Sequence, residues 1–98
     1  NAQANGIETL VYTNGSKASH KLAGLAQKAL IVSTQARDRG VKERSDLTVL
    51  KKTMMPAILV ETGFITNARE LSLLLTYDYQ DRIVAAIADA INMMVPNE

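Results

Sequence analysis

The chain has 98 residues, a mass of 10.7 kDa, no Cys, one His and a net charge of +1. A compact fold of this mass exposes about 5,500 Å² and hides about 65% of its unfolded surface, which is one domain with one modest core. Without Cys there is no disulfide scaffold and no thiolate zinc site, and one His excludes a multi-His metal site built by this chain alone. A hydrophobic fraction of 47% with 21% charged residues is globular composition, and the near-neutral balance points to neither nucleic acid nor an anionic membrane as partner.

The first residues, Asn1 to Gly6, lack a basic start and an apolar run, so no signal peptide is read there; with no Met at position 1, a start inside a longer protein is expected. The longest apolar stretch, Ile83 to Val95, is broken by Asp89 and Asn92 and is too short to span a membrane. Charge is uneven. Arg37 to Lys52 carries six basic side chains against three acidic ones, whereas Thr53 to Glu98 carries two against six.

Gly6 to Tyr12 is rich in β-formers and predicts a strand, ended by Asn14-Gly15. Ser16 or Ser19 caps a helix running to about Gln35, with Leu22, Leu25, Ala26, Ala29, Leu30 and Ser33 on one face and Gly24 pointing away. Arg37 to Gly40 ends it, with Gly40 as the left-handed residue. Val41 to Asp46 is polar and predicts a loop. Leu47 to Leu50 is a short strand or one helical turn; its period does not separate the two. Pro56 opens a continuous apolar run, Ala57 to Val60, that suits a strand buried on both faces and ending at Glu61.

Thr62 to Thr66 is a loop. Asn67 and Glu70 then fit a capping box for a short helix to about Leu75. A last helix spans about Asp78 to Met94, with Ile83, Val84, Ile87, Ala88, Ile91 and Met94 as its apolar stripe, and Pro96 closes it. Strands alternating with helices predict an α/β fold with a mainly parallel sheet flanked by helices. Two or three strands and three helices make a thin sandwich, so the chain is expected to supply part of a larger one.

Glu61 is the candidate for chemistry. It stands at the carboxyl end of the most apolar strand, where α/β sheets bind ligands, and burial there would disfavour its ionised form. Such a group suits a general acid or base. The other reading is a strand-end carboxylate that accepts backbone hydrogen bonds from the following loop; position alone does not choose between them. His20 falls opposite the apolar stripe of its helix and reads as a solvated side chain rather than a metal ligand. Arg37, Arg39, Lys42 and Arg44 are either a solvated connection or a clamp for an anionic substrate, since Arg grips carboxylates with two parallel hydrogen bonds. Glu8 reads as a solvent-side or loop-bonding carboxylate. Met54-Met55 and Met93-Met94 read as gap-filling core or surface.

Together these segments resemble a known family. Asn1-Ala2 with Gly6-Ile-Glu-Thr9 is similar to the strand after a metal-binding His in zinc-dependent N-acetylmuramoyl-L-alanine amidases. Arg37 to Lys42 resembles their basic segment. Leu47 to Leu50, and then Met55 to Asn67 (MPAILVETGFITN), resemble their most characteristic stretch, with Thr66 where the family more often has Ser. The resemblance covers essentially the whole chain. It implies that residues 1–98 are the C-terminal part of one amidase catalytic domain. The family's zinc ligands, His, Glu and His, would all lie upstream of Asn1, so this chain supplies no metal ligand, and the upstream half of the same domain becomes its partner. Glu61 matches the family's essential Glu that does not bind zinc. The implied reaction is hydrolysis of the amide between the lactyl group of N-acetylmuramic acid and L-alanine of the stem peptide, with Glu61 as general acid/base and peptidoglycan as substrate. Stem peptides carry carboxylates, and Arg39 is the residue expected to contact them. The implied setting is extracellular or the cell wall, or host cytoplasm before lysis for a phage lysin. The alternative is a non-catalytic peptidoglycan-binding module, or an inactive half-domain awaiting its zinc-binding half.

Overall fold

The computed structural model describes residues 3–51, 55–64 and 66–95. The expected closure by Pro96, the Met54 position and the Asn1-Ala2 motif lie outside these residues. Strand β1 (Ile7–Tyr12) leads to helix α1 (Lys17–Thr34), strand β2 (Asp38–Arg44), a single helical turn α2 (Thr48–Lys51), strand β3 (Leu59–Glu61) and helices α3 (Ala68–Leu74) and α4 (Tyr77–Met94). The sheet order is β2-β1-β3. β2 runs parallel to β1, but β3 runs antiparallel, with Glu8 opposite Glu61 and Leu10 opposite Leu59. The sheet is therefore mixed rather than mainly parallel. The carboxyl end of β3 lies at the amino ends of β1 and β2.

Ile7, Thr9 and Val11 alternate onto the α1 side and are fully buried, which is the period-two geometry of a strand packed on a helix. α1 lies between the sheet and α4, so it buries two faces: Leu22, Ala23, Ala26 and Leu30, plus the polar Ser19 and Gln27. Ser16 is its N-cap, its hydroxyl accepting from Ser19 N–H at 3.1 Å. Its C-terminus is closed by Gln35 at φ 57°, not by Gly40.

Gly40 is left-handed for another reason. β2 has one more residue than β1 between the pairs Ile7–Asp38 and Thr9–Val41, and Gly40, at φ 79°, takes up that bulge. The segment expected as a loop is thus mostly strand. Its polarity hides it, because an edge strand whose side chains face water has no apolar period to read.

β3 also departs from expectation. Only three residues pair, and Leu59 is 38% exposed, because among the described residues β3 has one neighbouring strand and not two. On α4 the buried stripe is Tyr79, Ile83, Ala86 and Ala90, while Val84, Ala88 and Ile91 face outward. Ala86 and Ala90 let α4 settle close to α1 in two clusters, one with Ile7 and Leu30, the other with Leu22 and Ala26. Of the expected stripe, Ile83 is buried and Ile87 and Met94 pack against these clusters, while Val84, Ala88 and Ile91 do not.

The result is a slab 39 × 34 × 17 Å. Its accessible surface, 6661 Å², exceeds the roughly 5,500 Å² of a compact chain of this mass. Among the described residues no helix is long and apolar enough to cross a membrane.

Candidate active site

Gly6 stands just before β1, and its φ of 107° is open to glycine and strained for other residues. A Cβ there would lie 2.5 Å from the Arg37 carbonyl oxygen, so glycine lets the start of β1 lie against the start of β2. Ile7 N–H donates to that same Arg37 oxygen at 2.9 Å.

Across β1, the antiparallel register sets Glu8 and Glu61 directly opposite each other on one face, where Cβ atoms stand about 5 Å apart. Their environments differ. Glu8 is 13% exposed at its side chain and accepts from Arg39 Nε at 3.2 Å. Arg39 also donates through Nη1 to the Asn5 carbonyl at 3.3 Å, and its guanidinium carbon lies 4.9 Å from the centre of the Phe64 ring. Arg39 follows Asp38, the partner of Ile7, so strand alternation puts it on the same face as Glu8. Glu61 is exposed, and its carboxylate makes no hydrogen bond or ion pair among the described residues. Burial, the premise for a desolvated Glu61, is absent from these residues. Arg44, farther along β2, is raised above its ordinary value chiefly by its hydrogen bond to Asp46, then by that carboxylate's charge, with smaller effects from Glu61 and Glu8.

The loop after Glu61 is held by a different carboxylate. Glu70, buried on α3, accepts from Phe64 N–H at 2.8 Å through Oε1 and from Gly6 N–H at 2.6 Å through Oε2. It joins the start of β1 to the segment that follows β3. Half of the expected capping box is therefore present. Asn67 Oδ1 accepts from Glu70 N–H at 3.1 Å, but the Glu70 carboxylate does not return to Asn67, whose own N–H donates to the Phe64 carbonyl. Sequence spacing finds the cap and misses the clasp, because Gly6 is 64 residues away.

Gln27 escapes sequence reasoning for the same reason. Its amide donates to the Ile7 carbonyl at 2.7 Å and to Asp38 Oδ1 at 2.8 Å, and its oxygen accepts from the Thr9 hydroxyl at 2.9 Å. This buried network fixes β1 and β2 beside the bulge. His20, on α1, has Nδ1 3.8 Å from Glu43 Oε1 and Nε2 3.3 Å from the Thr13 carbonyl. The Glu43 neighbour comes from β2 and is invisible at helical spacing. Among the described residues no three His, Asp or Glu side chains converge to hold a metal.

The geometry thus presents one exposed, uncommitted carboxylate at a loop braced by Glu70 and by the Arg39–Phe64 contact. The family profile of N-acetylmuramoyl-L-alanine amidase matches residues 1–93. The chain is 40% identical over 92 residues to protein YqiI of Bacillus subtilis, covering 93% of this chain and 44% of that one. It is 43% identical over 86 residues to the N-acetylmuramoyl-L-alanine amidase LytC of the same organism, covering 87% and 17%. The crystal structure of an N-acetylmuramoyl-L-alanine amidase from Clostridium difficile 630 superposes with a TM-score of 0.88 at 31% identity, covering 95% of this chain and 50% of that one. The chain spans less than half the length of these two curated relatives. A match over residues 1–93, on a fold shared with a solved amidase, makes this chain a member of the N-acetylmuramoyl-L-alanine amidase family.

Proposed function

We propose that the chain is the C-terminal part of a peptidoglycan amidase catalytic domain, and that Glu61 is its general acid/base. The bond cut is the amide between the lactyl group of N-acetylmuramic acid and L-alanine. Water adds its oxygen to the carbonyl carbon as Glu61 takes the proton. Glu61 then gives that proton to the departing amine as the C–N bond breaks, leaving a free carboxylate and a free amino terminus.

One observation carries this assignment. A strand-end Glu with a structural role would bind N–H groups of the loop that follows, and in that loop it is Glu70 that accepts from Phe64 N–H. Glu61 is left exposed and unengaged among the described residues. Arg39 is tied to Glu8, Asn5 and Phe64, so it supports the site's shape as well as any substrate contact. That lowers the appeal of a binding module built on Arg39 alone.

The zinc that the resemblance implies finds no donor set among the described residues; its ligands belong to the remainder of the domain. The isolated chain is accordingly inactive, and the enzyme acts at the cell wall. In the complete domain, Glu61→Gln keeps the fold and the metal content and lowers release of stem peptides by about 10²- to 10⁴-fold. Near-normal release by that variant would overturn the assignment.

A further inference from the structure

Beside the Glu61 loop lies a polar cleft of about 260 Å³, lined by Asn5, Thr34, Arg37, Asn67, Arg69 and Glu70 among others. The chain has five arginines. Three are paired with carboxylates: Arg39 with Glu8, Arg44 with Asp46 and Arg82 with Asp78. The other two, Arg37 and Arg69, make no hydrogen bond or ion pair through their side chains among the described residues, and both line this cleft. Two arginines from distant parts of the chain thus line one cleft, neither paired with a carboxylate among the described residues. The single acid in its lining, Glu70, already accepts two backbone N–H groups. Asn67 uses its oxygen on Glu70 N–H, which leaves its amide hydrogens as donors toward the cleft.

The cleft lies at the same edge of the sheet as Glu61 but on the α1 side, whereas the Glu8 and Glu61 side chains occupy the other face. Its Glu70 wall is bonded to Phe64 and Gly6. Phe64 follows Glu61 by three residues, and Asn5 precedes Glu8, the cross-strand neighbour of Glu61, by three. Three residues span at most about 11 Å. That is the reach of a peptide running a few residues from the cut amide.

From this geometry we infer that Arg37 and Arg69 form a carboxylate subsite for the stem peptide. The ligand's identity rests on the amidase assignment; the anion site itself does not. Paired guanidinium groups recognise a carboxylate by charge-assisted, two-point hydrogen bonding, so binding falls with salt and with loss of the carboxylate.

The test uses the intact amidase that contains this chain, titrated with a synthetic stem peptide bearing free carboxylates and with the same peptide as its amides. The wild type binds the acidic form at least about tenfold more tightly, and added salt narrows the gap. The double variant Arg37→Ala, Arg69→Ala loses the preference and binds the amidated peptide unchanged. In turnover its KM rises while kcat holds. Both side chains are exposed, so its melting temperature should match the wild type, and Arg37→Lys with Arg69→Lys recovers part of the preference. Equal wild-type binding of the two peptides, or a double variant that keeps the preference, would overturn the subsite. The titration needs no turnover. Glu61-independent hydrolysis would therefore sink the Glu61 assignment, and no hydrolysis by the intact wild type the amidase assignment, while the titration alone decides the cleft.

Discussion

Strands β2 and β3 flank the same central strand and are made from opposite chemistry. β2 reads DRGVKER, with one aliphatic side chain in seven residues, and it pairs along most of β1. β3 follows the apolar run from Ala57 and pairs through three residues, with Leu59 and Glu61 exposed. The polar strand is suited to remain an edge, since charged side chains discourage further pairing; the apolar strand is an edge with none of those protections. β2 is held from beneath by Gln27 and by the close approach at Gly6. β3 is held from its end, by Glu70 and the Phe64 loop. The two strands therefore divide the labour: one is anchored scaffold, the other carries the uncommitted carboxylate.

The largest expected effect tests that division at Glu61. Its substitution by Gln should cost about 10²- to 10⁴-fold in hydrolysis in the complete enzyme while leaving thermal unfolding unchanged, since the side chain is exposed. A variant that loses stability along with activity would make Glu61 part of the scaffold and erase the contrast. Gly6→Ala does the reverse. It forces a side chain onto a positive φ and within 2.5 Å of a carbonyl oxygen, so about 3 kcal/mol of stability should be lost. At about 4–8 °C per kcal/mol for a domain of this size, calorimetry should record a fall of more than about 10 °C. An unchanged melting temperature would mean that β1 and β2 do not depend on this approach.

Gln27→Ala should come next, at about 2 kcal/mol, because it strands the Thr9 hydroxyl, the Ile7 carbonyl and one Asp38 contact in or near the core. Gln27→Glu is informative beside it. A carboxylate can still accept from Thr9 but can donate to neither Ile7 nor Asp38, so chemical unfolding should show it no more stable than the Ala variant at neutral pH. Full stability in Gln27→Glu would show that the donated bonds contribute little to holding β2.

Which of these parts are legible in the sequence follows from range. β1, both long helices, the caps at Ser16 and Asn67 and the terminus of β3 at Glu61 are local patterns, and composition and period place them within a few residues. The strand β2 is not legible, because its pairing to β1 is the only thing that makes it a strand; nothing in its own side chains announces it. The antiparallel run of β3, the Glu8–Glu61 pair and the Glu70 clasp are all long-range, and no period of two or 3.6 encodes them. The stripe on α4 misleads differently. Hydrophobicity favours Val84 and Ile91, but the contact with α1 is made where Ala86 and Ala90 leave room. The apolar run places Glu61 at the end of β3, and the Met55 to Asn67 motif points to the family, but the antiparallel run sets it at the amino ends of β1 and β2 and its side chain is exposed.

The smallest effect concerns whether the charges of β2, rather than its backbone, fix its far end. Arg44 grips Asp46 with two parallel bonds, Nε to Oδ1 at 2.9 Å and Nη2 to Oδ2 at 2.8 Å. That hydrogen bonding, followed by Asp46's own backbone N–H, holds the Asp46 carboxyl below its ordinary value of 3.8. A carboxylate depressed in the folded state contributes stability that is fully present above the unfolded value and fades as pH falls through the folded one. The contribution should therefore be flat from about pH 9 to about pH 5 and decline only below about 3.8. Arg44 is shifted upward, so its side of the pair adds no slope near neutrality. Both groups are exposed, and an exposed pair is screened by salt and adds little. Melting curves of the wild type and Asp46→Asn should thus nearly coincide at about pH 7, with the wild type alone showing an extra acid limb below about pH 4. A large gap near neutrality would mean that β2 needs its side-chain charges to stay in register, and the scaffold role assigned to its backbone, Gly6 and Gln27 would have to be shared with Arg44.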